Sequence, residues 1–320
     1  MKKIATLFMM VIALLTVSSC AYTKHDIYVT VYPVKYLSEE LLDKTPITVG
    51  MVPGVSSHEH SAEWSPKQII SMQEADFLIY VGANYDQYIT KKLSVFDKKD
   101  VQLIKIEDQH SYINFIEGEV HDHNHDHEEH DHTETKSETA LGFDPHFWIS
   151  PNRMLDVLEL LYDTYRVAYP SYAEQIDDNY LVVKNHLEEL HIEYLEVISQ
   201  MNKPVLTSTN LYGYLREDYG LSYLSIWSGY HEEPDNIHLA DTNFILEEVS
   251  YHQINTIIFE KNRSSPASNH IFEEMKKTTT NPIKLEYNIL QLLSERDRNN
   301  QKNYLTVMRD NLLIFQQAGQ

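Results

Sequence analysis

Thirty residues in the middle of the chain, Ser171 to Gln200, contain neither glycine nor proline and carry apolar side chains at Ile176, Tyr180, Val183, Leu187, Leu190, Tyr194 and Val197. Steps of four and three place these on one stripe of an uninterrupted α-helix. A helix of that length spans about 45 Å, more than one small lobe requires. It is either a long core helix or a spine joining two lobes.

The flanking sequence has the same design on both sides. Before the helix, Ile27–Pro33, Ile47–Pro53, Phe77–Gly82 and Val101–Ile106 read as β-strands from their alternation and branched or aromatic content. Between them, Tyr36–Leu42 and a helix from Pro66 to Ala75, N-capped by Ser65, are helical. Met154–Ala168 has helical periodicity. After the long helix, Pro204–Thr209, Tyr223–Trp227, Asn255–Glu260 and Pro282–Tyr287 are strands. Leu211–Tyr219, Asp241–Tyr251, Pro266–Lys277 and Gln301–Gln317 are helices. Alternating strands and helices imply parallel βα units. Four strands per half predict an α/β protein of two lobes, each a four-stranded, mainly parallel sheet with flanking helices.

One stretch breaks the pattern. His121 to His132 holds six imidazoles (His121, His123, His125, His127, His130 and His132) and five carboxylates in twelve positions. That is too polar to bury, and residues 117–139 read as a disordered insertion. Neutral imidazole is the common side-chain ligand for zinc-like ions, and carboxylates can complete a shell. A flexible His-rich tract can catch such an ion without fixing its geometry; the lesser alternative is a solvated acidic linker that binds metal incidentally. Beyond it, Asp144-Pro-His-Phe-Trp-Ile-Ser-Pro151 sets His146 after a proline and among aromatics, which suggests a built receptacle beside a collector.

The N-terminus reads as an export signal: Lys2 and Lys3, an apolar run from Ile4 to Val17, and Val17-Ser-Ser-Cys20. The apolar run of about 14 residues is short of the roughly 20 that cross a bilayer. Cys20, the only cysteine, follows small residues as in a bacterial lipobox, so a signal peptide 1–19 and a lipidated Cys20 with a tether 20–26 are expected. Disulfides and a thiolate metal site are excluded. Without residues 1–19, 24 basic residues stand against 48 acidic ones, a formal charge of −24. That balance argues against nucleic acid as a partner and is compatible with a cationic ligand. There is no HExxH, GxSxG or GxxxxGK signature, and no enzyme is predicted.

The order of these features resembles a known family. Lipobox, Pro53-Gly-Val, His60-Ser-Ala-Glu-Trp-Ser-Pro66, acidic His tract, Asp144-Pro-His146 and long helix come first. Leu211-Tyr-Gly-Tyr-Leu, Asp218-Tyr-Gly-Leu221, Glu233-Pro234, Ile257-Ile-Phe-Glu260 and Tyr304-Leu-Thr-Val-Met-Arg-Asp-Asn311 follow. The whole is similar to the metal-binding (zinc/manganese, cluster A-I) solute-binding lipoproteins of ABC transporters, in the zinc-type branch with a His-rich loop. The resemblance implies an N-terminal lobe 27–170, a rigid linking helix 171–201, a C-terminal lobe 202–320, and a metal cleft between the lobes.

It also implies a ligand set: two residues from each lobe. By position the first is His60, with His58 as a rival, and the second is His146. The C-terminal lobe departs from the pattern. Thr209 stands where a histidine or glutamate is expected, and Gln291 where an acid is expected; neither is a good zinc ligand. His231, water, or reliance on the His tract are the alternatives, with His238, Glu260 and Glu286 as further donors. His110, His186, His191, His252 and His270 read as surface or packing residues. The implied protein is a monomeric, extracytoplasmic receptor, lipid-anchored to a bacterial cell membrane. It would bind Zn²⁺, or alternatively Mn²⁺, and deliver it to an ABC permease. Two other readings stand beside it: a surface metal buffer or adhesin-like lipoprotein with a degenerate cleft, and an exported metallohydrolase.

Overall fold

The computed structural model describes residues 23–55, 62–83, 85–96, 100–108, 112–113, 142–227, 229, 239–263 and 265–320. His58, His60, His110, the tract 121–132, His231, His238 and Cys20 lie outside the described residues.

The inner strands of each sheet are buried on both faces, as parallel strands covered by helices must be, while the edge strands are partly exposed. β1 (Ile27–Val29) lies between β2 (Val49–Met51) and β3 (Phe77–Tyr80), and β4 (Gln102–Lys105) follows β3. All pairings are parallel, with Tyr28 opposite Gly50 and Leu78, and Ile79 opposite Ile104. The second sheet repeats the order: β6 (Tyr223–Ser225), β5 (Val205–Thr207), β7 (Thr256–Glu260), β8 (Ile283–Tyr287), again all parallel.

Side-chain alternation sorts each strand between two cores. Ile27, Val29, Phe77 and Ile79 face a central cluster that also takes Val205 and Ile258 from the second sheet. Tyr28, Leu78 and Tyr80 face a separate cluster on the outer side of the first sheet. Leu206, Ile257 and Phe259 do the same on the outer side of the second. One apolar core is therefore continuous across the two lobes, with a satellite core outside each sheet.

The helices are α1 (Tyr32–Leu41), α2 (Pro66–Gln73), α3 (Gln87–Thr90), α4 (Pro151–Ala168), α5 (Ala173–Ser199), α6 (Gly213–Tyr219), α7 (Leu239–Tyr251), α8 (Pro266–Thr278), α9 (Glu295–Asn299) and α10 (Tyr304–Ala318). The long helix α5 buries Ile176, Val183, Leu187, Leu190, Tyr194 and Ile198, with Tyr180 and Val197 packed partly against the same core. It rests on α1 and α4 of the first lobe and on α6 and α10 of the second, so it is a spine shared by both.

Several element boundaries differ from the periodicity. The first strand stops at Val29 and the helix begins at Tyr32, because Pro33 cannot donate to a ladder but fits a first helical turn. The closing helix starts at Tyr304 rather than Gln301: Gln301 has φ +56°, and Asn303 caps the helix in a reciprocal box with Thr306. The segment just before it forms α9, capped by Ser294.

Candidate metal centre

In an open parallel sheet, ligands bind beyond the carboxyl ends of the strands, at the point where strand order reverses. In the first sheet that point lies between β1 and β3, and Thr30, Val31, Gly82 and Ala83 leave from it. In the second it lies between β5 and β7, and Ser208, Thr209, Asn210 and Glu260 stand there. The two points are drawn together. The Tyr32 backbone N–H donates to the Gln291 carbonyl at 2.9 Å. Trp148 Nε1 donates to the Ile289 carbonyl at 2.7 Å. Tyr304 OH donates to the Trp148 carbonyl at 2.8 Å, and its ring stacks on Tyr36.

His146 sits at this junction, 4% exposed, in the turn before a short 3₁₀ segment (Phe147–Ile149) and α4. Ser150 caps α4 and Pro151 opens it, so the turn is held by the helix that follows. Asp144 Oδ1 accepts twice, from the His146 backbone N–H at 2.9 Å and from His146 Nδ1 at 2.9 Å. Donation of Nδ1–H to a carboxylate fixes the tautomer with the lone pair on Nε2, the arrangement by which a histidine is made ready for a metal. The rings of Tyr85 and Trp148 stand edge-on to the imidazole, with centroids 6.0 and 5.3 Å away, which limits its rotation.

Tyr85 also reaches toward the second lobe. Burial pushes its phenol well up, and the carboxylates of Asp86 and Glu260 push it further. Glu260, at the end of β7, is 6% exposed and held by Arg263 at 2.9 Å. It is thus a buried acid of the C-terminal lobe at the switch point, while Glu286 is exposed on edge strand β8.

Thr209 is 5% exposed at the second switch point, and its Oγ1 has no hydrogen-bond partner. Gln291 is also buried, in the loop that Asn311 anchors: Asn311 Oδ1 accepts from the Asn288 N–H at 3.0 Å, and its Nδ2 donates to the Asn288 carbonyl at 2.8 Å. Leu290 in this loop adopts φ +57°. Both non-ligand residues therefore sit in built, enclosed positions. Among the described residues no three His, Cys, Asp or Glu side chains form a group able to hold a metal ion. His186 and His270 are exposed, His191 lies 3.0 Å from the Tyr219 hydroxyl, and His252 lies 3.3 Å from Glu248.

Two features escaped the sequence reading. Asp86 is fully buried at the first switch point, accepting from the Gly82 N–H at 2.9 Å, and burial raises its carboxyl to about 6. Arg153 grips Asp218 across the lobes. Asp144 did carry a local signal: an acid two residues before a histidine, with proline between, is placed to accept from that residue's N–H.

Two parallel sheets of matching order, facing each other by their switch points and backed by one shared helix, make up the two-lobed fold of the rigid-helix class. The chain belongs to the family described as zinc-uptake complex component A, periplasmic (ZnuA), whose model matches residues 27–318. It is 31% identical over 339 aligned positions to the zinc-binding lipoprotein AdcA of Streptococcus pneumoniae, covering 99% of this chain and 61% of that protein. A zinc-binding AdcA of Streptococcus pyogenes is 28% identical, over 90% of this chain and 55% of the relative. The chain thus spans less than two thirds of the length of these two relatives. Among solved structures, the Zn(II)-bound ZnuA-like domain of S. pneumoniae AdcA superposes with a TM-score of 0.70 and 27% identity, over 93% of this chain and 99% of that domain. The metal-dependent lipoprotein YcdH of Bacillus subtilis has the same fold, at a TM-score of 0.71 and 19% identity.

Proposed function

We propose that this protein is the extracytoplasmic receptor of an ABC importer for Zn²⁺, taking the ion between its lobes and passing it to the permease. The observation that carries the proposal is the buried His146, oriented by Asp144 at the facing switch points. Membership of the zinc-uptake family supports it. His60 and His146 bind as neutral imidazoles from the first lobe, and His231 supplies an imidazole from the second. The tract His121 to His132 collects ions. Imidazole donors favour Zn²⁺ over Mn²⁺, which prefers oxygen. The signal peptide 1–19 is removed, Cys20 carries the lipid anchor, and the receptor acts as a monomer with no catalytic role.

Zinc titration by calorimetry tests this on the purified protein, beside His146→Ala and a variant lacking residues 121–132. One tight site that survives the deletion and is lost in His146→Ala is expected. Thr209 and Gln291 favour one rival, a metal-buffering lipoprotein whose cleft has lost its second-lobe ligands. Loss of all tight binding with the tract, and none with His146→Ala, would establish that rival.

A further inference from the structure

The turn that carries His146 is not held by its own lobe alone. Asp144 N–H donates to the Ile113 carbonyl at 3.0 Å, a single backbone bond joining two chain segments, 112–113 and 143–144. The return bond of that pair is made through a side chain from the other lobe. The Ile113 N–H donates to the Tyr214 hydroxyl at 3.3 Å, and the hydroxyl donates in turn to the Asp144 carbonyl at 2.8 Å. Tyr214 is fully buried in α6, which begins four residues after Thr209. Its hydroxyl therefore closes a ring of three hydrogen bonds whose other members are the backbone of Ile113 and of the residue that orients His146.

Two further contacts fix the same point. An added Cβ at Gly213 would meet Asp144 Oδ2 at 3.0 Å and Ile113 Cδ1 at 3.1 Å, so any side chain at position 213 would crowd the His146-orienting carboxylate. The Arg153 guanidinium lies 5.5 Å over the Tyr214 ring while binding Asp218, so one side chain of α4 holds two positions one turn apart on α6. The Asp144 main chain is thus gripped by Tyr214, and its side chain is approached by Gly213 and bonded to His146.

Resting on the reading of His146 as a metal ligand, we infer that Tyr214 is a positioning residue of the second lobe that sets the pose of His146 through Asp144. Displacement of α6 relative to the first lobe moves the Asp144 carbonyl, and with it the carboxylate that orients the imidazole. The second lobe acts on affinity in this way even though Thr209 and Gln291 are poor donors.

The test compares Zn²⁺ affinity, the Co²⁺ d–d spectrum and apo-protein melting for the purified protein, Tyr214→Phe, Gly213→Ala and His146→Ala. Outer-shell changes typically lower metal affinity tenfold to a hundredfold; one step further from the metal, Tyr214→Phe is expected to weaken Zn²⁺ about three- to tenfold. Its Co²⁺ spectrum should change, which a stability defect alone does not produce. Gly213→Ala perturbs the same carboxylate from its other side and should weaken binding by a similar factor. If His146→Ala abolishes binding while both α6 variants retain wild-type affinity and Co²⁺ spectrum, the positioning role is overturned. If His146→Ala itself binds normally, the ligand assignment fails first, and that result is distinct.

Discussion

The lobes are tied beside the centre by one ion pair whose worth can be worked out from its surroundings. Arg153, in the first turn of α4, places Nε 3.0 and 2.9 Å from the two carboxylate oxygens of Asp218 on α6, with Nη2 at 2.5 Å. Ser150 Oγ donates to the same carboxylate at 2.6 Å. The Asp218 side chain is 4% exposed and that of Arg153 17%. An exposed pair contributes about 0–1 kcal/mol, whereas removing one partner of a buried pair costs about 3–5 kcal/mol because the other charge is stranded. Here the acid is enclosed and the base retains some water. Asp218→Asn is therefore expected to cost about 2–3 kcal/mol, between those limits. The double variant with Arg153→Met should lose less than the two singles together, a coupling of about 2 kcal/mol. Urea unfolding followed by tryptophan fluorescence, at low and high salt, measures all four proteins. A coupling below about 0.5 kcal/mol, or one erased by salt, would refute the reasoning and leave the apolar seam as the tie between lobes.

Asp86 makes stability depend on pH in an unusual direction. Its carboxyl is raised to about 6 against 3.8 unfolded, so the folded state holds the extra proton between those values, and stability falls as pH rises through that window. At about 1.36 kcal/mol per unit, the difference of about 2.2 units corresponds to about 3 kcal/mol. Urea midpoints from pH 4 upward, read against Asp86→Asn, should show the wild type losing ground as pH rises; a flat difference would show that the group does not titrate there. Asp144→Asn weakens the orienting bond to His146 and should lower zinc affinity tenfold to a hundredfold in a chelator competition assay. Tyr304→Phe strands the buried Trp148 carbonyl across the lobe seam and should cost about 1–3 kcal/mol in urea unfolding. Leu187→Ala, at a fully buried position on the spine, should cost about 2–5 kcal/mol. Because the core is continuous, it should do so in one transition by both fluorescence and circular dichroism; two separated transitions would show that the lobes unfold independently.

Periodicity alone revealed the strands and the longer helices of this protein. Eight strand segments and the long glycine- and proline-free stripe were legible because burial on a sheet or a helix imposes a period of two or 3.6 on local sequence. The lone His146 after Asp144-Pro145 was legible too, since the orienting bond spans only two residues. Periodicity could not show that α5 serves both lobes, because the stripe of a core helix and that of a spine are identical in one dimension. Nor could it find Asp86, whose significance lies in burial at a switch point made by strands distant in sequence. The grip of Tyr214 on Asp144 joins positions 70 residues apart. The enclosure of Thr209 and Gln291 likewise depends on how the two sheets face each other. Such relations belong to tertiary structure, because a hydrogen bond or a desolvated charge is set by distance in space, and sequence pattern records only the face a residue presents.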